Sequence, residues 1–135
     1  MTASLAPPAE FGAAAVRVKP WGHEKIFAAG EHGYVGKIIT VDAGHSLSLQ
    51  YHHHKDETII VVTGEATVDH GPTMDLLCSR TMRAGDVVHL AAGALHRVTA
   101  VSDVLLAEVS TAPPGWQADI VRLSDRYGRD GTTEP

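Results

Sequence analysis

The chain has 135 residues, 44% of them apolar and 20% charged, which suits one globular domain able to bury a core without covalent staples. A net charge of -5 with no Lys/Arg-rich stretch excludes the electrostatic footprint of a nucleic-acid binder. A single cysteine, Cys78, excludes an internal disulfide and is expected to be a small buried apolar residue.

Residues 1–15 are Ala/Pro-rich and aperiodic and are expected to be a flexible tail. The opening has no basic n-region, Pro7-Pro8 interrupts it, and no apolar run is long enough to span a bilayer, so a cytoplasmic location away from membranes is expected. From residue 16 to 129 the punctuation is that of one all-β domain. The segments "YVGKIITV", "HSLSLQYH", "TIIVVTG", "EATVDH", "DVVHLAA" and "HRVTAV" read as strands between turn signals such as Asp42-Ala43-Gly44 and Ala84-Gly85-Asp86. The stretch "QADIVRLSDRYG" fits either a strand or a short helix, and residues 130–135 are expected to be a second flexible tail. Many short strands at regular spacing predict a sandwich or barrel, with a jelly roll as one solution.

The histidine run in "SLSLQYHHHKDE" invites a metal site, but neighbouring residues on a strand face opposite ways. Gln50, His52 and His54 share one face, whereas Leu49, Tyr51 and His53 share the other. The apolar set Leu47, Leu49 and Tyr51 opposite the candidate ligands is expected to need cover from another segment or subunit.

The stretch from Gly44 to Gly64, G-HSLSL-Q-Y-H-HHKD-E-TIIVVT-G, resembles the first motif of the cupins. That motif runs glycine, five residues, H-x-H, three or four residues, glutamate, six residues and glycine. The register holds throughout when Gln50 stands in the first histidine's place. Gly85 to Ala100, G-DVVHL-A-A-G-AL-H-RVT-A, is similar to the second motif, with Ala91 and Ala100 replacing the usual proline and asparagine. The resemblance implies a single-domain jelly-roll cupin, a double-stranded β-helix barrel. It also implies a divalent ion held by Gln50, His52, Glu57 and His96. Zinc suits such nitrogen and oxygen donors, and manganese, nickel, cobalt or iron remain compatible. His54 is left as an inner-cavity acid/base candidate. Lys37, in "GKIITV", is expected to point inward towards an anion.

Within the cupins the chain is most similar to type II phosphomannose (mannose-6-phosphate) isomerases. The likeness rests on Pro20-Trp21-Gly22, on "LSLQ-x-HHH" at 47 to 54, on "VVTGEA" at 61 to 66 and on "DIVRLSDRYGR" at 119 to 129. Lys55 replaces that family's arginine, and Thr58 and Ile59 replace its His-Trp pair. These 135 residues contain no counterpart of the family's frequent transferase domain, and a related sugar is a further expected substrate. The resemblance implies metal-dependent aldose–ketose isomerisation of a sugar or sugar phosphate through a cis-enediol, with catalytic roles expected for His54 and Lys37. Lys55, Arg97, Arg126 and Arg129 are the candidates to bind phosphate. Two other functions fit the same pattern: an iron-dependent cupin oxygenase and a non-catalytic small-molecule binder. A homodimer is expected, because cupins commonly pair and the Leu47/Leu49/Tyr51 face needs cover.

Overall fold

The computed structural model describes residues 5–133, of which 5–14 are exposed and without regular structure. Eleven strands follow: β1 (Ala15–Lys19), β2 (Gly22–Ala29), β3 (Tyr34–Val41), β4 (Leu49–Tyr51), β5 (Glu57–Thr63), β6 (Glu65–Gly71), β7 (Cys78–Arg83), β8 (Val87–Leu90), β9 (Leu95–Ala100), β10 (Val104–Thr111) and β11 (Val121–Ser124). The helical content of the described residues is two single 3-10 turns, Met74–Leu76 and Trp116–Ala118. The stretch that fitted strand or helix therefore contains β11 with a 3-10 turn before it.

The strands form two antiparallel sheets, ordered β1-β2-β3-β10-β5-β8 and β11-β4-β9-β6-β7. This is the all-β jelly-roll arrangement expected from the sequence. The inward residues Ile39, Val41, Ile59, Val61, Val68, Met82, Leu90, Val98, Val104 and Leu106 form one buried cluster with Trp21. Strand periodicity then positions the site. On β10 the inward series runs Val104, Leu106, Glu108, Ser110, on β5 Val61, Ile59, Glu57, and on β3 Val41, Ile39, Lys37. All three change from apolar to polar toward the same end, so a polar cavity sits directly on the core.

Three expectations change. Cys78 is exposed at the start of an edge strand, because in β7 only Met82 turns its side chain into the core. Leu49 is buried within one chain, and Leu47 packs on the core cluster. The alternation assumed for this segment is interrupted, since the pairing with β9 slips by one residue between Ser46–Thr99 and Gln50–His96. The apolar face that motivated a homodimer is thus largely covered internally. The C-terminal tail is tied as far as Thr132, whose Oγ1 and carbonyl both accept from the Arg122 guanidinium, while Gly131 N–H donates to the Arg122 carbonyl. No helix is long and apolar enough to cross a membrane among the described residues.

The β5–β6 connection requires glycine. Gly64 has φ +88°, and a Cβ there would lie 2.2 Å from the Asp103 carbonyl oxygen and 2.9 Å from Val104 Cα. Gly44 shares a positive φ of +80° but faces open space. Gly64→Ala is expected to cost about 2 kcal/mol or more, and Gly44→Ala about 1 kcal/mol. Urea unfolding midpoints of the two variants check the order; equal shifts would contradict it.

Candidate metal centre

Three short segments converge at the polar end of the barrel. Gln50 of β4 lies directly opposite His96 of β9, so both side chains share the inner face. His52 follows one residue after β4 ends, and Glu57 opens β5. His52, Glu57 and His96 are all buried, and one ligand atom from each lies within 4.8 Å of the others. Glu57 Oε1 is 3.4 Å from His52 Nε2 and 2.9 Å from His96 Nε2.

The outer hydrogen bonds assign the ring tautomers. His52 Nδ1 donates to the Asp119 carbonyl at 2.5 Å, and His96 Nδ1 donates to the Ala94 carbonyl at 3.0 Å. A carbonyl can only accept, so each Nδ1 carries the proton and each Nε2 is left facing Glu57. His96 Nε2, although close to Glu57, lies out of hydrogen-bonding alignment, and Gln50 Oε1 is likewise buried without a hydrogen-bond partner. Buried donor atoms left unsatisfied around one point are what a cation would satisfy. The set Gln50, His52, Glu57 and His96 therefore fits a divalent ion in its nitrogen and oxygen chemistry and in its supporting bonds.

Electrostatics agree. Burial alone would raise the Glu57 pKa, but His52, His96 and Lys55 together hold it well below the usual carboxylate range. Burial would lower His96, yet Glu57 overrides this and raises it.

Lys55 was expected to offer its charge to phosphate, and the structure corrects that placement. Its Nζ is buried, 3.5 Å from Glu57 Oε2 and 3.6 Å from Glu108 Oε2. Burial would lower its pKa, but Glu108 and Glu57 raise it, so the ammonium is committed to two carboxylates. Glu108 Oε2 lies just beyond hydrogen-bond reach of any partner. Burial first and the Glu57 charge second push the Glu108 pKa up to about 7, against Lys55 and Lys37.

The same cavity is lined by Lys37, whose Nζ sits 3.5 Å from Glu24 Oε2 and 5.8 Å from the centre of the Trp116 ring. Arg129 also lines it, with its guanidinium bonded to both Asp125 carboxylate oxygens at 3.0 Å. Arg97 and Arg126 do not reach it. They line a separate depression, where Arg97 is held by Asp69 at 2.9 and 3.0 Å and Arg126 donates to the Gly44 carbonyl.

His54 is also outside the cavity. The strand stops at Tyr51, and the Asp119 carboxylate accepts from the backbone N–H groups of His53, His54 and Lys55 at 2.7, 2.9 and 2.8 Å. That clamp turns the chain, leaving His53 and His54 exposed and Lys55 buried. The three N–H groups also hold the Asp119 pKa below its ordinary value despite some desolvation. Strand parity could not anticipate a turn closed by a residue distant in sequence.

Glu24, Glu108, Trp116 and Asp119 were missed in the sequence. For Glu108 the signal was available: a carboxylate in phase with Val104 and Leu106 on an alternating strand must face inward.

A family model described as mannose-6-phosphate isomerase C-terminal matches residues 11–125. The chain belongs to this family. Its fold is that of the cupins. The chain is 35% identical over 113 residues to mannose-1-phosphate guanylyltransferase ManC of Salmonella typhimurium, covering 82% of this chain and 22% of that one. It is 36% identical over 113 residues to xanthan biosynthesis protein XanB of Xanthomonas campestris, covering 82% and 23%. This cupin therefore spans less than a quarter of the length of those relatives. Among solved structures, the capsular polysaccharide assembling protein CapF from Staphylococcus aureus superposes with TM-score 0.71 at 17% identity, covering 85% of this chain and 33% of that one. Oxalate decarboxylase from Lactobacillus farciminis superposes with TM-score 0.67 at 19% identity, covering 82% and 33%. At such identities the superpositions speak for the shared fold alone.

His96→Ala is expected to abolish stoichiometric retention of a divalent metal. Asp119→Ala, which keeps the carbonyl but frees the turn, should weaken it about 10-fold or more. Because Glu57 raises the His96 pKa, affinity should fall as pH drops through that raised value and the proton displaces the ion. Competition titrations with a chromogenic chelator across pH check both; a pH-independent affinity would remove His96 from the ligand set.

Proposed function

We propose that this chain is a metal-dependent aldose–ketose isomerase acting on a phosphorylated sugar. One observation carries the reading. A single cavity is lined by Gln50, His52 and Glu57, which cluster with the buried His96, by the buried carboxylate of Glu108, and by more cationic side chains than acidic ones. Arg17, Lys19, Lys37, Lys55, Arg122 and Arg129 face Glu24, Glu57 and Glu108 there, a balance that favours an anionic ligand. Membership of a family described by mannose 6-phosphate, and relatives named for mannose 1-phosphate, support a sugar phosphate.

A divalent ion bound by Gln50, His52, Glu57 and His96 supplies Lewis acidity toward a sugar carbonyl. The remaining work falls to the chain's own groups. Glu108 takes the proton from the carbon beside the carbonyl while Lys37 protonates the carbonyl oxygen to give a cis-enediol. The enediol's other hydroxyl then returns a proton to Lys37 as Glu108 delivers its own to the former carbonyl carbon. Its Oε2 is buried and has no hydrogen-bond partner, so it is free to accept that proton. Lys55 stays between Glu57 and Glu108, keeping the two carboxylates from repelling one another. Lys37, directly across from Glu108 in the β3–β10 register, donates to a substrate oxygen. Trp116 forms an apolar wall under both lysines and limits water. His54, exposed and outside the cavity, has no part in this scheme.

The test is interconversion of mannose 6-phosphate and fructose 6-phosphate by metal-analysed protein, with and without chelator. Chelator-sensitive turnover is expected, and Glu108→Gln should lose about 100-fold or more in kcat while retaining its metal. Full activity in Glu108→Gln would remove the proposed base. Stoichiometric iron with substrate-dependent oxygen uptake would replace the reading with an oxygenase, and tight binding without turnover would replace it with a binder.

A further inference from the structure

Edge strand β1 carries an alternation of its own. Val16 and Val18 are exposed, whereas Arg17 and Lys19 line the cavity. No apolar side chain of β1 enters the cavity, so its contribution there is two cations.

Their partners leave positive charge in excess. Lys19 Nζ is 3.8 Å from Glu24 Oε1 and Lys37 Nζ is 3.5 Å from Glu24 Oε2, so one buried carboxylate serves two ammonium groups. Arg17 stands directly opposite Glu24 in the strand register, yet its side chain makes no ion pair or hydrogen bond among the described residues. Arg129 adds its charge to the neighbourhood of Lys19, although its own fork is held by Asp125. A guanidinium lining a cavity beside a lysine, with no carboxylate of its own, offers a planar set of donors suited to phosphate oxygens.

The cavity is polar along its length. Contacts run in series through it: Glu57 of the metal cluster meets Lys55, Lys55 and Lys37 approach the Trp116 ring, Lys37 and Lys19 share Glu24, and Arg17 stands opposite Glu24. We infer that Arg17 and Lys19 form a phosphate-binding pole that receives the terminal phosphate of a sugar whose carbonyl end reaches the metal centre. The inference rests on the isomerase reading for its carbonyl end alone. It also moves phosphate recognition to β1, away from Lys55, Arg97 and Arg126.

The experiment measures calorimetric binding of inorganic phosphate, mannose 6-phosphate and mannose to the intact protein, alongside steady-state isomerisation. Wild type, Arg17→Ala, Lys19→Gln, the double variant and Arg17→Lys are compared, and phosphate binding is repeated after chelation. Arg17→Ala should weaken phosphate and mannose 6-phosphate about 10- to 100-fold, with the larger kinetic effect on KM than on kcat. Arg17→Lys should regain part of the loss, which a variant impaired only in folding would not show. Mannose binding should be insensitive to these substitutions.

Unchanged phosphate binding in the double variant would overturn the inference. So would phosphate binding that disappears on chelation yet ignores both β1 residues, since the anion would then sit at the metal pole. Equal wild-type affinity for mannose and mannose 6-phosphate would also overturn it. Phosphate binding sensitive to Arg17, in a protein that isomerises no sugar phosphate, would uphold the β1 site and reject the isomerase reading.

Discussion

The site is organised by the need to neutralise one buried carboxylate. Glu57 is 3% exposed, and an isolated ionised carboxylate at that depth would cost several kcal/mol. Its two oxygens divide the work: Oε1 faces His52 and His96, while Oε2 faces Lys55. Lys55 is buried in turn and reaches Glu108 as its second partner. Each charge is tolerable only because the next is present, so the cluster behaves as a unit. The same dependence makes Glu108 a distinctive group. Its burial first, and then the neighbouring carboxylate already held ionised, raise its pKa to about 7 against the charges of Lys55 and Lys37.

That arrangement depends on the C-terminal segment closing over it. Asp119 reaches the site through both its side chain and its backbone. The carboxylate gathers three successive N–H groups of the turn, and the carbonyl accepts from His52 Nδ1. Residues beyond Asp119 anchor the segment from outside. Tyr127 Oη meets His45 Nδ1 at 2.7 Å, and Arg126 donates to the Gly44 carbonyl. "DRYGR" is thus mainly a fastening, with Arg129 its one member lining the cavity. Orientation of a buried histidine is coupled to docking of a segment some sixty-seven residues away in the chain.

How much of this was legible follows from where each signal resides. The grouping of Gln50, His52, Glu57 and His96 was implied by the resemblance to the two cupin motifs, and β3 stood out as an uninterrupted β-rich run at Tyr34–Val41. Strands β1, β2, β7 and β10 were passed over. In β2 and β10 the inward positions include Glu24, Glu108 and Ser110, and in β1 they include Arg17 and Lys19, so polar side chains break the apolar alternation that marks a strand. In β1, β2 and β10 the residues that obscured the strand include Arg17, Lys19, Glu24 and Glu108, which furnish the cavity. His54 failed for the opposite reason: local parity was sound, but a distant carboxylate ended the strand before that parity applied.

The lysine after the three histidines fits the same logic. Its partners, Glu57 Oε2 and Glu108 Oε2, lie on two neighbouring strands, at 3.5 and 3.6 Å from one nitrogen. A point charge can sit between two such oxygens, whereas a planar fork favours both oxygens of a single carboxylate. With Lys55 occupied in this way, the cation expected from family resemblance to meet phosphate has become part of the catalytic end's internal charge balance. On the proposed sugar-phosphate reading, the anion would be met by cations that Glu57 and Glu108 do not claim. Among the cavity-lining cations, Arg17 alone has a side chain that makes no ion pair or hydrogen bond with a described residue. Its place on an edge strand sets it at the margin of the cavity's sheet, which suits the proposed role of meeting a charged group that stays partly solvated.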